Sequence, residues 1–145
     1  MPNYIETFRC TVSLADCDHL GHMNVQHYLR AVSDGMFSLM IHLGLTPDEI
    51  RRRSISFAAV HAEMDFHHEL NAGDVIALES TVVKLENKSG TFHHRLKNAA
   101  TGEIAMSAEI KGVLLDLKTR KGTVIPEDVR TAAAQLFRDS VVKNP

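Results

Sequence analysis

The sequence predicts an α+β domain in which an antiparallel sheet wraps around one long central helix. Two patterns lead to this prediction. Apolar residues recur every three or four positions between residues 25 and 43, as they do along one face of an amphipathic helix. From residue 55 apolar residues alternate with polar ones, and turn sequences rather than helices separate the alternating segments. Because strands joined by short turns run antiparallel, one sheet packed against one helix satisfies this order.

The first elements follow from local signals. Alternation over residues 4–14 predicts a strand, and the polar segment 16–23 predicts a loop. Asn24 is a suitable N-cap for the long helix because its side-chain oxygen can accept hydrogen bonds from free helix amides. Gly44 is expected to end that helix, and Pro47 is expected to occupy the first position of a short second helix.

The second half of the chain is expected to supply the rest of the sheet and a closing helix. Turn sequences predict further strands that begin at residue 55 and then cover 75–85, 91–97, 103–117 and 123–125. Alternation on the first of these strands assigns five residues to one apolar face: Ala58, Val60, Ala62, Met64 and Phe66. A closing helix is expected after Pro126, with an inner face of Val129, Ala133, Leu136 and Phe137.

Composition limits the classes of function. A chain of 145 residues with 44% hydrophobic residues fits a single domain, residues 1–145, and is too apolar for a disordered protein. A formal net charge of −2 provides no basic surface for nucleic acid. The sequence shows neither an apolar run of membrane-spanning length nor a signal-peptide pattern. Cys10 and Cys17 form neither a disulfide framework nor a zinc motif, so we expect a cytoplasmic protein without a metal site.

Ionisable side chains are concentrated in the loop before the long helix. Asp16, Asp18, His19 and His22 all lie between the first strand and Asn24. The first turn of a helix presents free N–H groups and a partial positive charge, which can hold a carbonyl oxygen while negative charge develops on it. A carboxylate just before that turn can attack the carbonyl carbon or activate a water molecule beside it. The pattern therefore indicates transfer of an acyl group to water.

The same segment resembles the signature of a known enzyme family. Residues 16–24, followed by Tyr28-Leu29, match the pattern D-x-D-x-x-G-x-apolar with a tyrosine near the start of the next helix. This signature is typical of hotdog-fold acyl-CoA thioesterases of the 4-hydroxybenzoyl-CoA thioesterase type. The turn at 72–74 and the segment 116–126 match the family as well. The resemblance implies a hotdog fold, joined sheets in a dimer or a dimer of dimers, active sites at the subunit interface, and hydrolysis of acyl-CoA without metal or other cofactor.

The resemblance also implies roles for individual residues. Asp18 matches the catalytic carboxylate of the family, and the backbone N–H of Val25 lies where the family polarises the thioester carbonyl. Asn24 and Tyr28, at the start of the same helix, are expected to contact the substrate. Lys88-Ser89 lies in a turn that approaches the CoA nucleotide in relatives, and is expected to bind substrate too.

Two further motifs add catalytic candidates. The run Gly-His-Met-Asn at 21–24 is similar to plant acyl-carrier-protein thioesterases, which carry a catalytic histidine at the position of His22, and to betainyl-CoA thioesterases. The run Phe-His-His-Glu at 66–69 resembles the Tyr-Arg-Arg-Glu of the plant enzymes, which implies a catalytic role for Glu69. A carrier-protein thioester is therefore a second candidate substrate.

Two other functions stay open from the sequence. A hydratase or dehydratase of the same fold would act on an enoyl-CoA without releasing the thiol, although the D-x-N-x-x-H arrangement used by such enzymes is not present. A non-catalytic module for acyl ligands would bind a thioester and release no thiol. In each case a thin sheet around one helix leaves a sheet edge and a cleft that a second subunit would complete.

Overall fold

The described part of the chain, residues 3–137 of the computed structural model, contains one antiparallel sheet and three α-helices. The strands are β1 (Ile5–Thr11), β2 (Ile55–Phe66), β3 (Val75–Leu85), β4 (Ser89–Asn98), β5 (Ile104–Asp116) and β6 (Lys121–Gly122). The helices are α1 (Val25–His42), α2 (Pro47–Arg53) and α3 (Glu127–Leu136), and a 3-10 turn covers Leu14–Asp16. This is the α+β arrangement that the sequence predicts.

The strand order determines which strands form the edges of the sheet. The order is β1-β3-β4-β5-β2, with β6 paired to β5 beyond this path, and every pair is antiparallel. The chain leaves the edge strand β1, forms α1 and α2, and returns as the opposite edge strand β2. The long helix therefore crosses the inner face of the sheet between its two edges.

α1 begins and ends where the sequence predicts. The side chain of Asn24 accepts a hydrogen bond from the N–H of Gln26, which makes it the N-cap. Gly44 follows the helix with a φ of 88°, a left-handed conformation that glycine adopts without strain. The buried face of α1 consists of Tyr28, Ala31, Val32, Gly35, Leu39 and Met40.

α1 does not cover the sheet evenly. It packs mainly against β1 and β3, so the inner face of β5 and β2 is left partly open. Val25 and Leu29, which belong to the predicted apolar stripe, are 57% and 51% exposed. Gly35 allows the close approach on the covered side, because a Cβ there would collide with the side chain of Leu78 and lie 2.9 Å from the hydroxyl of Thr7. The helix is thus displaced toward one edge of the sheet.

A bulge in β2 changes which residues face the helix. The register with β5 shifts between Ala59 and His61, so Val60 is an extra residue in the strand. Ala62 lies on the inner face as predicted, and Ala59 lies there as well. Ala58, one position from Ala59, consequently points to the outer face. The prediction that Ala58 shares the inner face is wrong because the extra residue reverses the alternation.

A second bulge, between Glu6 and Phe8 of β1, turns Thr7 into the core, although strict alternation along a strand would place it on the face opposite to Phe8. The Thr7 hydroxyl lies 2.7 Å from the hydroxyl of Ser80, and this hydroxyl lies 2.7 Å from Nδ1 of His94. All three side chains are buried. A hydrogen-bonded chain therefore connects β1, β3 and β4 beneath α1.

The ends of the fold differ from the prediction in length. β1 covers Ile5–Thr11 rather than 4–14, and the final hairpin strand is Lys121–Gly122 rather than 123–125. α3 follows Pro126 as predicted and buries Val129 and Ala133 at this end of the molecule, where Phe137, the residue after the helix, is buried as well. No helix within residues 3–137 combines the length and the apolar character needed to cross a lipid bilayer.

Candidate active site

Backbone hydrogen bonds fix the loop that precedes α1. The N–H of Asp18 donates to the carbonyl of His22 at 3.1 Å, and the N–H of Gly21 donates to the carbonyl of Asp18 at 3.0 Å. Gly21 has a φ of 87°, which few other residues would tolerate. The N–H of Met23 donates to the carbonyl of Leu70 at 2.7 Å and so attaches the loop to the segment after β2. The loop therefore presents its side chains from an ordered backbone.

Asp16 holds the two ends of this loop together. Its carboxylate accepts a hydrogen bond from the N–H of Ser13 at 3.0 Å, and its carbonyl accepts one from the N–H of Asn24 at 2.9 Å. The bond from Ser13 lowers the pKa of Asp16 below its usual value. Nδ1 of His27 lies 3.6 Å from the same carboxylate. These contacts give Asp16 a structural role.

Asp18 accepts a hydrogen bond at each carboxylate oxygen. The N–H of Leu20 donates to Oδ1 at 2.9 Å, and the side-chain amide of Asn24 donates to Oδ2 at 2.7 Å. The bond from Asn24 is the largest of the effects that lower the pKa of Asp18 below its usual 3.8, and the bond from Leu20 is the second largest. The carboxylate is thus ionised at neutral pH, and each oxygen keeps a lone pair for a substrate or a water molecule.

Asn24 joins Asp18 to the N-terminus of α1. While its amide nitrogen donates to Asp18, its side-chain oxygen accepts from the N–H of Gln26 and its carbonyl accepts from the N–H of His27, both at 3.1 Å. The N–H of Val25 has no protein acceptor among residues 3–137. One free amide at the positive end of the helix therefore accompanies the carboxylate of Asp18.

These groups line a pocket of about 390 Å³ at the N-terminal end of α1. The loop, α1 and the segment after β2 form its walls. The pocket brings together six of the residues that the sequence analysis selects: Asp18, His22, Asn24, Val25, Tyr28 and Glu69. A carboxylate and a free amide in one cleft have the chemistry needed to act on a carbonyl group.

His22 and Glu69 face each other at the rim of the pocket. Nε2 of His22 lies 4.0 Å from Oε1 of Glu69, and Nδ1 of His22 lies 3.4 Å from the carbonyl oxygen of Met23. The side chain of Glu69 is 72% exposed, whereas that of His22 is 27% exposed. Glu69 is therefore the solvent-exposed member of this pair, and His22 is the more buried one.

Tyr28 and Phe66 form an apolar wall. Their rings meet edge to face with the centroids 5.1 Å apart, which joins α1 to the end of β2. Tyr28 is 4% exposed, whereas Phe66 is 51% exposed. Burial, assisted by the negative charge of Glu69, raises the pKa of the Tyr28 hydroxyl. Tyr28 therefore contributes packing and a neutral hydroxyl rather than a charge.

Lys88 and Ser89 lie outside this pocket. Lys88 lies in the turn between β3 and β4, and Ser89 is the first residue of β4. The carbonyl of Lys88 accepts a hydrogen bond from the N–H of Leu114 at 2.8 Å. Leu114 belongs to the core around the C-terminal half of α1, whereas Asp18 precedes its N-terminus. α1 has 18 residues, so the two places are separated by a helix of about 27 Å. A single chain does not bring Lys88 and Ser89 together with Asp18.

Leu20, Phe66, His67 and His68 line the pocket, although the sequence analysis selects none of them as a site residue. A signal was present for Phe66, because it ends an apolar strand face three positions before Glu69. Within residues 3–137, no three His, Cys, Asp or Glu side chains are arranged to hold a metal ion.

Comparison with known proteins places the chain in a family. The family model of the thioesterase-like superfamily matches residues 12–133, which include the loop, the pocket and most of the sheet. The chain belongs to the thioesterase-like superfamily. A 1,4-dihydroxy-2-naphthoyl-CoA hydrolase of Prochlorococcus marinus is 26% identical over 129 residues, which cover 83% of this chain and 84% of the hydrolase.

A second relative is much longer than this chain. The L-carnitine dehydrogenase/betainyl-CoA thioesterase of Agrobacterium fabrum is 27% identical over 121 residues, which cover 82% of this chain. The match spans only 24% of that relative.

Similar solved structures confirm the hotdog fold. A Staphylococcus aureus protein, solved in complex with CoA, superimposes with a TM-score of 0.87 at 20% identity and covers 97% of this chain and 87% of its own. A 1,4-dihydroxy-2-naphthoyl-CoA thioesterase from Synechocystis superimposes with a TM-score of 0.77 at 22% identity and covers 89% of this chain and 95% of its own. The curled antiparallel sheet around one helix is therefore the hotdog arrangement expected from the resemblance.

Proposed function

We propose that the protein hydrolyses an acyl-CoA thioester to the free acid and CoA, with Asp18 as the catalytic carboxylate. The observation that carries this proposal is the pairing, in one pocket, of the ionised Asp18 with the free N–H of Val25. The relatives named above are a CoA hydrolase and a betainyl-CoA thioesterase, so both act on CoA thioesters while their acyl groups differ. CoA is accordingly the part of the substrate that the comparisons support.

In the proposed reaction the thioester carbonyl oxygen accepts a hydrogen bond from the N–H of Val25. This amide stabilises the negative charge that develops on the oxygen when the carbonyl carbon is attacked. Asp18 either attacks that carbon and forms an anhydride that water then hydrolyses, or takes a proton from an attacking water. In both routes the carbon–sulfur bond breaks and the thiolate leaves. His22, at the pocket rim, assists proton transfer, and the carboxylate of Glu69 lies 4.0 Å from its Nε2 atom.

The proposal includes a homodimer formed through the free edge of β2. Antiparallel pairing of two β2 strands about Ala62 would place the imidazole of His61 opposite the carboxylate of the partner's Glu63 on the outer face, where the two side chains could form a hydrogen bond. Phe66 lies four positions from Ala62 in one direction. Phe57 lies four positions from Ala62 in the other direction when Val60 and its neighbour in the bulge are counted as one position, so Phe66 is opposite the partner's Phe57. This register keeps the inner faces of both strands aligned.

The same register brings Lys88 and Ser89 of one subunit toward the pocket of the other. Phe57 pairs with Leu114 of β5, and the N–H of Leu114 is bonded to the carbonyl of Lys88. In the dimer this turn of the partner would therefore lie three strand spacings from Phe66, or about 14 Å. Lys88 and Ser89 are thus proposed to contact the CoA portion of a substrate held in the other subunit's pocket.

Thiol release from a panel of acyl-CoA thioesters tests the proposed reaction. We expect release of free CoA from at least one thioester, measured with a thiol reagent. Hydration of an enoyl-CoA without thiol release would instead identify a hydratase. Saturable binding of every acyl-CoA without turnover would identify a non-catalytic binding module. The same assay with the acyl group on an acyl-carrier protein instead of CoA shows which of the two carriers the protein accepts.

A further inference from the structure

Tyr28 is buried, yet its hydroxyl group has no protein partner. The side chain is 4% exposed, and within residues 3–137 its hydroxyl makes no hydrogen bond. Because a buried polar group without a partner costs free energy, most such groups in folded proteins are paired. The other tyrosine of the chain follows this rule, since the hydroxyl of Tyr4 lies 2.8 Å from Nδ1 of His93. The unpaired hydroxyl of Tyr28 therefore points to a ligand rather than to the fold.

The hydroxyl of Tyr28 is a neutral donor that faces the pocket at the N-terminal end of α1. Within residues 3–137 the one completely buried side-chain nitrogen or oxygen without a partner is Nε2 of His94, so the oxygen of Tyr28 keeps some contact with solvent. Tyr28 lines the same pocket as Asp18 and Val25. Burial, together with the negative charge of Glu69 in that pocket, raises the pKa of the hydroxyl. The hydroxyl therefore keeps its proton at neutral pH and can donate it in a hydrogen bond.

The position of Tyr28 in α1 directs its hydroxyl toward the end of the helix that carries the free amide of Val25. Side chains of an α-helix lean toward its N-terminus and cover the preceding turn. α1 begins at Val25, so the turn before Tyr28 is the first turn of the helix. The edge-to-face contact with Phe66 holds the ring in the pocket wall. Two donors, the N–H of Val25 and the O–H of Tyr28, thus belong to one helix end and one pocket.

We propose that the hydroxyl of Tyr28 donates a second hydrogen bond to the thioester carbonyl oxygen, in addition to the bond from the N–H of Val25. This inference rests on the proposed function, because it places the reacting carbonyl between Asp18 and the first turn of α1. The negative charge that develops on the oxygen strengthens the bond from each donor. Since the hydroxyl has no protein partner, no bond within the protein has to break before it binds the oxygen. Tyr28 is then a catalytic residue as well as a part of the apolar wall.

Tyr28→Phe tests the proposal because it removes the hydroxyl and keeps the ring. We expect kcat to fall about a hundredfold, the usual loss when one donor to a developing oxyanion is removed. KM should change little, because the bond gains most of its strength in the transition state. Removal of a hydroxyl without a protein partner leaves no protein group unpaired, so the midpoint of thermal unfolding should stay that of the unmodified protein.

Tyr4→Phe is the matched control, because it removes the other tyrosine hydroxyl of the chain. Tyr4 does not line the pocket, and its hydroxyl is bonded to His93. This variant should therefore lose a little stability and keep kcat. Two results for Tyr28→Phe would overturn the proposal. One is an unchanged kcat, and the other is a lower kcat that comes with a lower unfolding midpoint, since the hydroxyl would then serve the fold.

Infrared spectroscopy of a bound thioester separates this proposal from the proposed reaction. Butanoyl-CoA with carbon-13 at its carbonyl is bound to the Asp18→Asn protein, and each hydrogen bond to the carbonyl oxygen lowers the stretching frequency of that carbonyl. Addition of Tyr28→Phe should raise the frequency, whereas addition of Tyr4→Phe should leave it unchanged. Equal frequencies in all three proteins would contradict the role of Tyr28 even if the protein is a thioesterase. If no acyl-CoA is hydrolysed, the proposed function fails, while the frequency of the bound carbonyl still tests Tyr28.

Discussion

At the residue scale, the candidate site depends on Asn24 as much as on Asp18. Asn24 uses its side-chain oxygen to cap α1 and its nitrogen to hold Oδ2 of Asp18. One side chain therefore fixes the carboxylate relative to the helix end whose Val25 amide is free. The resemblance implies that Asn24 contacts substrate, and its side chain lines the pocket with one amide hydrogen not used by these two bonds. In this geometry Asn24 also positions Asp18.

Substitution of Asn24 can separate these two roles. Asn24→Ser keeps an N-cap hydroxyl, so we expect nearly unchanged stability. It removes the donor to Asp18, so we expect a roughly tenfold lower kcat/KM, because a positioned acid–base group contributes more than this to the rate. Since the lost bond is the main cause of the lowered pKa of Asp18, the acid limb of the pH–rate profile should move to higher pH. Asn24→Ala should additionally lose about 1 kcal/mol of stability in urea unfolding. Unchanged activity and an unchanged acid limb in Asn24→Ser would contradict the positioning role.

At the element scale, the chain of Thr7, Ser80 and His94 connects three strands under α1. Nδ1 of His94 is bonded to Ser80, and its Nε2 is buried without a partner in the described structure. Burial, with a smaller effect of His93, lowers the pKa of His94 from 6.5 to about 4. The native protein therefore keeps this ring neutral where the unfolded chain would protonate it.

This difference predicts a pH dependence of stability. Between the folded and unfolded pKa values the unfolded state binds more protons, so the free energy of unfolding falls as pH decreases from about 6.5 to about 4. The contribution amounts to about 3 kcal/mol over that interval and is fully present above pH 6.5. Urea unfolding followed by circular dichroism at several pH values measures it. His94→Asn removes the titrating ring and retains a polar group near Ser80, so its stability should depend less on pH; an equal slope in both proteins would refute the assignment.

At the scale of the whole molecule, the free edge of β2 and the exposed face of α1 are the surfaces through which the proposed dimer would form. Val25, Leu29, Phe37 and Ile41 are all more than half exposed along α1. Beside them, β2 offers unpaired backbone groups over a strand of 12 residues. A second copy that pairs with this edge would cover part of this surface and bring its Lys88 turn to the pocket.

Charge reversal tests the proposed pairing of β2 edges. Glu63→Lys would remove, at two places in the dimer, the carboxylate that accepts a hydrogen bond from the partner's His61, so we expect about tenfold weaker dimerisation in sedimentation experiments. Glu109→Lys is the matched control, because Glu109 is the neighbour of Glu63 on the outer face of β5 but does not lie on the edge. A dimer of equal strength in both variants would exclude this edge as the interface.

Local signals predicted much of the fold and part of the site. Asn24, Gly44 and Pro47 mark the ends of helices where the sequence places them, because caps and fixed φ angles act within a few residues. The bulges at Thr7 and Val60 were not predictable, since each depends on pairing with a strand distant in the chain.

Contacts between residues distant in the chain also limited the prediction of the site. Asp18, His22 and Val25 are close in sequence and meet in the pocket, whereas Phe66 enters it only through tertiary packing. Lys88 reaches the pocket only if a second subunit provides it, which the sequence of one chain does not show.

The most direct measurement of the central claim is the rate of acyl-CoA hydrolysis by Asp18→Asn compared with Asp16→Asn. Both variants remove one carboxylate from the same loop, but only Asp18 lines the pocket, whereas Asp16 holds the backbone through Ser13 and Asn24. We expect kcat/KM to fall at least about a hundredfold in Asp18→Asn and to remain close to that of the unmodified protein in Asp16→Asn. Unchanged thiol release by a folded Asp18→Asn protein would contradict the account.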